Sequence, residues 1–113
     1  MWTIRVSRTF SAAHYLKGTK GRCEQVHGHN YRVEVAISSK RLRRPGMVAD
    51  FVEVRSRLES ILPDHKLLND EFRFNPTAEN LARYFFEAMS RFYQVTRVTV
   101  WENDDCCAEF SAD

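Results

Sequence analysis

Cys23-Glu24-Gln25-Val26-His27-Gly28-His29-Asn30-Tyr31-Arg32-Val33-Glu34-Val35-Ala36-Ile37-Ser38 is the stretch on which the fold turns. From residue 29 to residue 38 the chain alternates, with Tyr31, Val33, Val35 and Ile37 facing one way and Arg32, Glu34, Ala36 and Ser38 the other. That period of two predicts a half-buried strand. His27 and His29 stand in phase with Tyr31, so both imidazoles fall on the apolar side of an extended chain. Such a partly dry place lets a metal bond compete well, and Gly28 between them leaves no side chain to obstruct a neighbour or ligand.

Residues 2 to 11 alternate as well, with Trp2, Ile4, Val6 and Phe10 on one face and Thr3, Arg5, Ser7, Thr9 and Ser11 on the other; Arg8 is the exception on the apolar face. His14 continues the even-numbered face and offers a third nitrogen if the two strands pair as neighbours. Three histidines with an open fourth position is the donor set of catalytic zinc. A plainer reading makes them a polar strand edge and core histidines.

Cys23 closes a loop of glycines and cations, Lys17-Gly18-Thr19-Lys20-Gly21-Arg22. Positive charge or a metal beside a thiol favours the thiolate, which serves as base or nucleophile. The alternative is a structural ligand, one cysteine with three histidines. The loop's cations suit a phosphorylated substrate or simply a solvated turn.

Two helices follow. Asp50-Phe51-Val52-Glu53 resembles a capping box, Val54, Leu58, Ile61 and Leu62 keep helical spacing behind it, and Pro63 stops the run. Over residues 77 to 92, Leu81, Tyr84, Phe85, Ala88, Met89 and Phe92 form one apolar face. Val98 and Val100 alternate with Arg97 and Thr99 in a third strand, and Ala108 to Ser111 can return beside it across Asn103, Asp104 and Asp105. The order is two strands, two helices, two strands. Asp64-His65 after the first helix puts a carboxylate next to an imidazole, although chain neighbours often point apart. Glu102 extends the alternation of Val98 and Val100, so it should face inward, where a buried carboxylate needs a partner: paired N–H donors of a ligand, or an arginine.

The chain has 113 residues, the size of one domain, and can bury roughly two thirds of its unfolded surface. With 43% hydrophobic and 28% charged residues it should fold, and a net charge of +2 is too small to argue for nucleic acid. No apolar run exceeds three residues, which predicts neither a membrane span nor a signal peptide. Three cysteines, two of them adjacent (Cys106 and Cys107), make a poor disulfide framework and point to a reducing, cytoplasmic setting. The Lys40-Arg41-Leu42-Arg43-Arg44 cluster has no interleaved aromatics and precedes Pro45-Gly46, so it reads as a charged hairpin turn and not as a nucleic-acid surface.

Together these pieces resemble the family of 6-pyruvoyl-tetrahydropterin and 6-carboxy-tetrahydropterin synthases over essentially the whole chain. The resemblance rests on six blocks in order: Phe10-Ser11-Ala12-Ala13-His14, Cys23 to Tyr31, Val48-Ala49-Asp50-Phe51, Asp64-His65-Lys66-Leu67-Leu68-Asn69, Asn75-Pro76-Thr77-Ala78-Glu79-Asn80 and Val100-Trp101-Glu102. It implies an α+β tunnelling fold (T-fold), ββααββ, with a four-stranded antiparallel sheet and two helices on one face, as a single domain over 1–113. It implies a zinc ion (Zn2+) on His14, His27 and His29, Cys23 as catalytic base, Asp64 and His65 as acid–base pair, and Glu102 as the anchor of the pterin ring. Thr77 is implied to contact substrate, and Lys17, Lys20 and Arg22 are candidates for its triphosphate. Family members form rings, often hexamers of two trimers with active sites between subunits, so the implied partners are a pterin triphosphate and copies of this chain, with neither membrane nor nucleic acid.

Three residues between Cys23 and His27-Gly28-His29 resemble the bacterial carboxy-tetrahydropterin branch that feeds 7-deazaguanine and queuosine synthesis; the pyruvoyl branch usually has a longer insert. Glu24 also resembles a subgroup in which glutamate at this position supports cleavage to 6-hydroxymethyl-7,8-dihydropterin, a folate precursor. The non-enzymatic alternative is a zinc-stabilised pterin-binding module, against which stands the joint presence of Cys23, Asp64, His65 and Glu102.

Overall fold

The computed structural model describes residues 1–112. Strand β1 (Trp2–His14) pairs antiparallel with β2 (His27–Ser39) along their full length. Helix α1 (Phe51–Ile61), a two-residue strand β3 (Lys66–Leu67), the single turn α2 (Leu68–Glu71) and helix α3 (Ala78–Met89) follow, and β4 (Val95–Trp101) and β5 (Cys107–Ser111) close the chain. The sheet order is β3-β1-β2-β4-β5, antiparallel throughout except for β3, which runs parallel to β1 at Ala12 and Ala13. The α+β class and the ββααββ order therefore hold, with a fifth short strand and a short extra helix. Both are one turn or less, too short to set up a hydrophobic period. The two strands of the opening hairpin also run further than the alternation predicts, and the additional residues are the ones that carry His14 and His27.

The core lies between one sheet face and the helices. Val6, Phe10, Tyr31, Val33, Val35, Val98 and Val100 supply the sheet side; Val54 and Leu58 of α1, and Leu81, Ala82, Phe85 and Met89 of α3, supply the other. Each of the larger fully buried side chains contributes about 2 kcal/mol by leaving water. Asp50 caps α1 by accepting from the Val52 amide at 2.8 Å. The reciprocal half of the expected capping box is not made, because Glu53 instead accepts the Tyr93 hydroxyl at 2.8 Å. Thr77 caps α3, accepting from the Asn80 amide at 3.1 Å.

The helix predicted over 77 to 92 ends at Met89, and Phe92 lies exposed in the following turn under the Arg57 guanidinium, 4.0 Å from the ring centre. Trp2, expected on the apolar face, is half exposed at the free end of β1. Arg8, the exception on that face, pairs with Glu59 at 2.6 Å. The cationic stretch from Lys40 is a turn closed by the Arg43 and Met47 backbones, as the sequence predicts. No helix among the described residues is long and apolar enough to cross a membrane.

Candidate active site

Because β1 and β2 pair in full register, His14 lies opposite His27 and Ala12 opposite His29. All three imidazoles thus reach one face at one end of the hairpin. The rings meet edge-on with centroids 4.6 to 5.0 Å apart, and one nitrogen from each lies within 4.8 Å of the others. His14 is fully buried and the other two are half-buried.

The outer nitrogens show how the triad is set. His14 Nδ1 sits 2.8 Å from the Pro76 carbonyl and His27 Nδ1 2.7 Å from the Gln25 carbonyl. A carbonyl only accepts, so both Nδ1 atoms carry the protons and both Nε2 atoms present lone pairs. Those two Nε2 atoms face each other at 3.0 Å, and His29 Nε2 is buried without a hydrogen bond. Two lone pairs so close repel unless a proton or cation lies between them, so the donor set fits a metal ion. Burial holds the His14 and His29 imidazoles below their ordinary value, against the opposing pull of Glu102. Neutral imidazole is the form that binds metal. The triad can hold a metal ion.

Glu102 faces the same place: Oε1 is 3.4 Å from His29 Nε2 and Oε2 is 4.0 Å from His14 Nε2. The inward direction predicted from the strand alternation is correct. Among the described residues its charged-pair neighbours are histidines and not arginine. Tyr31 closes the floor with its hydroxyl 3.1 Å from His14 Nδ1, and burial pushes that phenol strongly upward, so it stays protonated.

Asp64 and His65 do meet, with Asp64 Oδ1 3.1 Å from His65 Nδ1. The same oxygen accepts from the Ser11 amide at 2.9 Å, and the His65 amide donates to the Ser11 carbonyl at 2.6 Å. His65 occupies the left-handed backbone region, φ 59°, an uncommon conformation for a residue with a Cβ. The exposed His65 and half-buried His29 line one open cleft of about 590 Å³, together with Ser11, Asn30 and Lys66. No hydrogen bond or ion pair joins Asp64 or His65 to the triad among the described residues.

Cys23 is a free, exposed thiol in a short 3-10 turn, Arg22–Glu24, and its sulfur makes no contact with the triad among the described hydrogen bonds. Its carbonyl accepts from the Leu16 amide at 2.6 Å. Glu24 Oε1 accepts from the Lys20 amide at 2.7 Å, so in this conformation the carboxylate closes the loop on itself. Lys17, Lys20 and Arg22 are exposed and without ion pairs among the described residues. The Thr77 hydroxyl is engaged as a helix cap. A Cβ on Gly28 would meet only the Ala12 carbonyl at 3.8 Å, an ordinary contact, so this chain alone does not need glycine there.

Sequence reasoning did not single out the Pro76 and Gln25 carbonyls, the Tyr31 hydroxyl or Ser11. Backbone acceptors leave no mark in a sequence. Tyr31, in phase with His27 and His29, carried a signal that it shares their face.

Residues 3–113 match the family model of 6-pyruvoyl tetrahydropterin synthase. A protein of Archaeoglobus fulgidus, provisionally named a 6-carboxy-5,6,7,8-tetrahydropterin synthase, is 43% identical over 109 residues, 94% of this chain and 92% of that protein. The 6-carboxy-5,6,7,8-tetrahydropterin synthase of Synechocystis is 36% identical over 94 residues, 76% of this chain and 73% of its own length. Among solved structures, the 6-pyruvoyl tetrahydropterin synthase of Caenorhabditis elegans superposes with a TM-score of 0.87 at 26% identity, covering 99% of this chain and 96% of that one.

Proposed function

The chain belongs to the 6-pyruvoyl tetrahydropterin synthase family, whose members are lyase-type enzymes, and from that premise we propose that it is a zinc-dependent 6-carboxy-5,6,7,8-tetrahydropterin synthase. Its reaction is then 7,8-dihydroneopterin triphosphate plus water to 6-carboxytetrahydropterin, acetaldehyde and triphosphate, a step toward 7-deazaguanines and queuosine. The observation that carries this reading is the triad itself: two Nε2 lone pairs 3.0 Å apart, with Glu102 within 3.4 Å of the third imidazole. A scaffold would need the histidines alone; a carboxylate beside them suits a ligand with paired N–H donors. The names of the relatives and the three-residue spacing from Cys23 to His27 support the carboxy product.

Zinc held by His14, His27 and His29 would supply a Lewis acid for the oxygens of the substrate side chain. Glu102 accepts from the amino and ring N–H groups of the pterin and so fixes which carbon faces the triad. Cys23 takes a proton from the side chain as thiolate, and His65 exchanges protons through the Nε2 that its Asp64 contact leaves free. In this reading Asp64 orients the His65 ring, its oxygen being held in turn by the Ser11 amide. Lys17, Lys20 and Arg22 are the candidate triphosphate contacts. Residues 1–113 act as one domain in this reading, in the cytoplasm, within a homo-oligomer such as a hexamer of two trimers.

Incubation of the zinc-loaded protein with 7,8-dihydroneopterin triphosphate, followed by mass analysis of products, tests the assignment. The expected product is 6-carboxytetrahydropterin, formed by wild type and Glu24→Ala and lost in Cys23→Ala. A 6-hydroxymethyl-7,8-dihydropterin that depends on Glu24 would move the protein to folate synthesis, and 6-pyruvoyltetrahydropterin would move it to the other branch. Bound substrate without turnover would make it a pterin-binding module.

A further inference from the structure

Four successive residues, from His14 at the end of β1 to Lys17, are each tied to a separate point. His14 Nδ1 is held by the Pro76 carbonyl. Both backbone groups of Tyr15 are taken by one side-chain amide, the amide N–H donating to Asn69 Oδ1 at 3.0 Å and the carbonyl accepting from Asn69 Nδ2 at 2.9 Å. Lys17 repeats the arrangement with Asn75, at 3.1 Å for both bonds. Leu16 lies between the two clamps, and its amide donates to the Cys23 carbonyl at 2.6 Å. An asparagine offers one acceptor and two donors in a plane, so it can stand in for a neighbouring strand where none exists.

The loop from residue 15 to residue 26 has little else to hold it. Residues 17 to 26 are all exposed, and Gly18, Lys20 and Gly21 all sit at positive φ. Its other described hydrogen bonds are internal, apart from the one between Gln25 and His27 at its own end. Apart from that bond at its end, Asn69 and Asn75 are the only described hydrogen-bonding anchors of the loop on the rest of the chain. Asn75 is itself braced, since its carbonyl accepts from Asn80 Nδ2 at 2.9 Å and from the Thr77 amide at 2.8 Å.

We infer that Asn69 and Asn75 are positioning residues for Cys23: they hold Tyr15 and Lys17 so that Leu16 fixes the height of the Cys23 loop relative to His14. The inference rests on the reading of Cys23 as the catalytic base. A shift of about 1 Å in a reacting group can cost on the order of 100-fold in rate. Neither asparagine touches substrate in this account, and both act through the backbone.

The test compares wild type with Asn69→Ala and Asn75→Ala, well below their melting temperatures, by three readouts. Amide hydrogen exchange is expected to quicken at Leu16 and Lys20 in both variants, beyond the clamped residue itself. Alkylation of Cys23 by iodoacetamide, mapped by peptide mass to separate it from Cys106 and Cys107, should change in rate at least threefold. The kcat at saturating 7,8-dihydroneopterin triphosphate should fall about 10- to 100-fold with bound metal per chain unchanged, whatever change in KM the loop's candidate triphosphate contacts Lys17, Lys20 and Arg22 bring. Where an alanine variant does not fold, Asn→Asp at that position keeps one acceptor oxygen and carries the same readouts. Unchanged exchange at Leu16 and Lys20 with kcat within twofold of wild type would overturn the inference. So would a loss of kcat that follows loss of metal, which would place the asparagines behind His14 alone. If wild type shows no turnover, the functional reading fails, while exchange and alkylation still decide whether the clamp holds the loop.

Discussion

The histidine triad and the Cys23 loop lie next to each other in the chain, yet different physics holds them. The triad stands on two strands paired through 13 residues each, with its rings packed edge to face and the outer nitrogens of His14 and His27 fixed by carbonyls. Moving one imidazole there means breaking a sheet. Residues 17 to 26 are exposed throughout and turn at two glycines; Asn75 clamps Lys17 at their start, Asn69 clamps the adjoining Tyr15, and the Gln25 carbonyl meets His27 at their end. The difference teaches where precision costs little. A metal-ligand set gains its geometry from a sheet that the core needs anyway, whereas an exposed thiol on a loop must be given specific anchors.

The comparison breaks most sharply at the triad. His27→Ala should leave no bound metal and lower turnover about 1,000-fold or more, measured by metal analysis alongside the rate. Cys23→Ala should separate the two regions: metal per chain stays as in wild type while kcat falls on the order of 100- to 10,000-fold. Metal loss in that variant would show that the sulfur is a ligand and that the two regions are one site. Tyr31→Phe sharpens the picture from below the triad. It removes the hydroxyl 3.1 Å from His14 Nδ1 and should weaken metal affinity about tenfold in a competitive chelator titration, with the fold intact.

The smallest effect lies outside both regions, at Glu53. The Tyr93 hydroxyl, with help from Arg57 and Arg43, holds this carboxyl below its ordinary value. A depressed carboxyl stabilises the fold above the pKa of the unfolded chain and loses that contribution as pH falls through the folded value. Tyr93→Phe should therefore lower the thermal midpoint by about 1 to 3 °C near pH 6, and the two curves should converge as pH falls below the depressed value of this carboxyl. Turnover at neutral pH should not change.

Period was enough for the sheet-built half of the molecule. The phase shared by His27, His29 and Tyr31, and by His14 and Phe10, put the triad on one face, and the pairing of β1 with β2 brought the two sets together. Glu102 followed from Val98 and Val100 by the same logic. The contact of Asp64 with His65 was not legible from period, since chain neighbours often point apart; the family resemblance alone paired them, and no neighbouring glycine announces the left-handed backbone found at His65. The capping box failed at Glu53 because Tyr93, 40 residues away, offered a better donor. The asparagine clamps were hidden for a related reason: Asn69 and Asn75 sit in quoted motifs, but their partners are backbone atoms, which every residue has.

The claim that the triad is a zinc centre on which turnover depends is tested most directly by reconstitution. Metal-stripped protein is titrated with zinc while the rate on 7,8-dihydroneopterin triphosphate is followed. The account predicts a rate that rises linearly and breaks at one zinc per chain, with no rise in His27→Ala. Full turnover by the stripped protein, or a break that survives loss of His27, would contradict it.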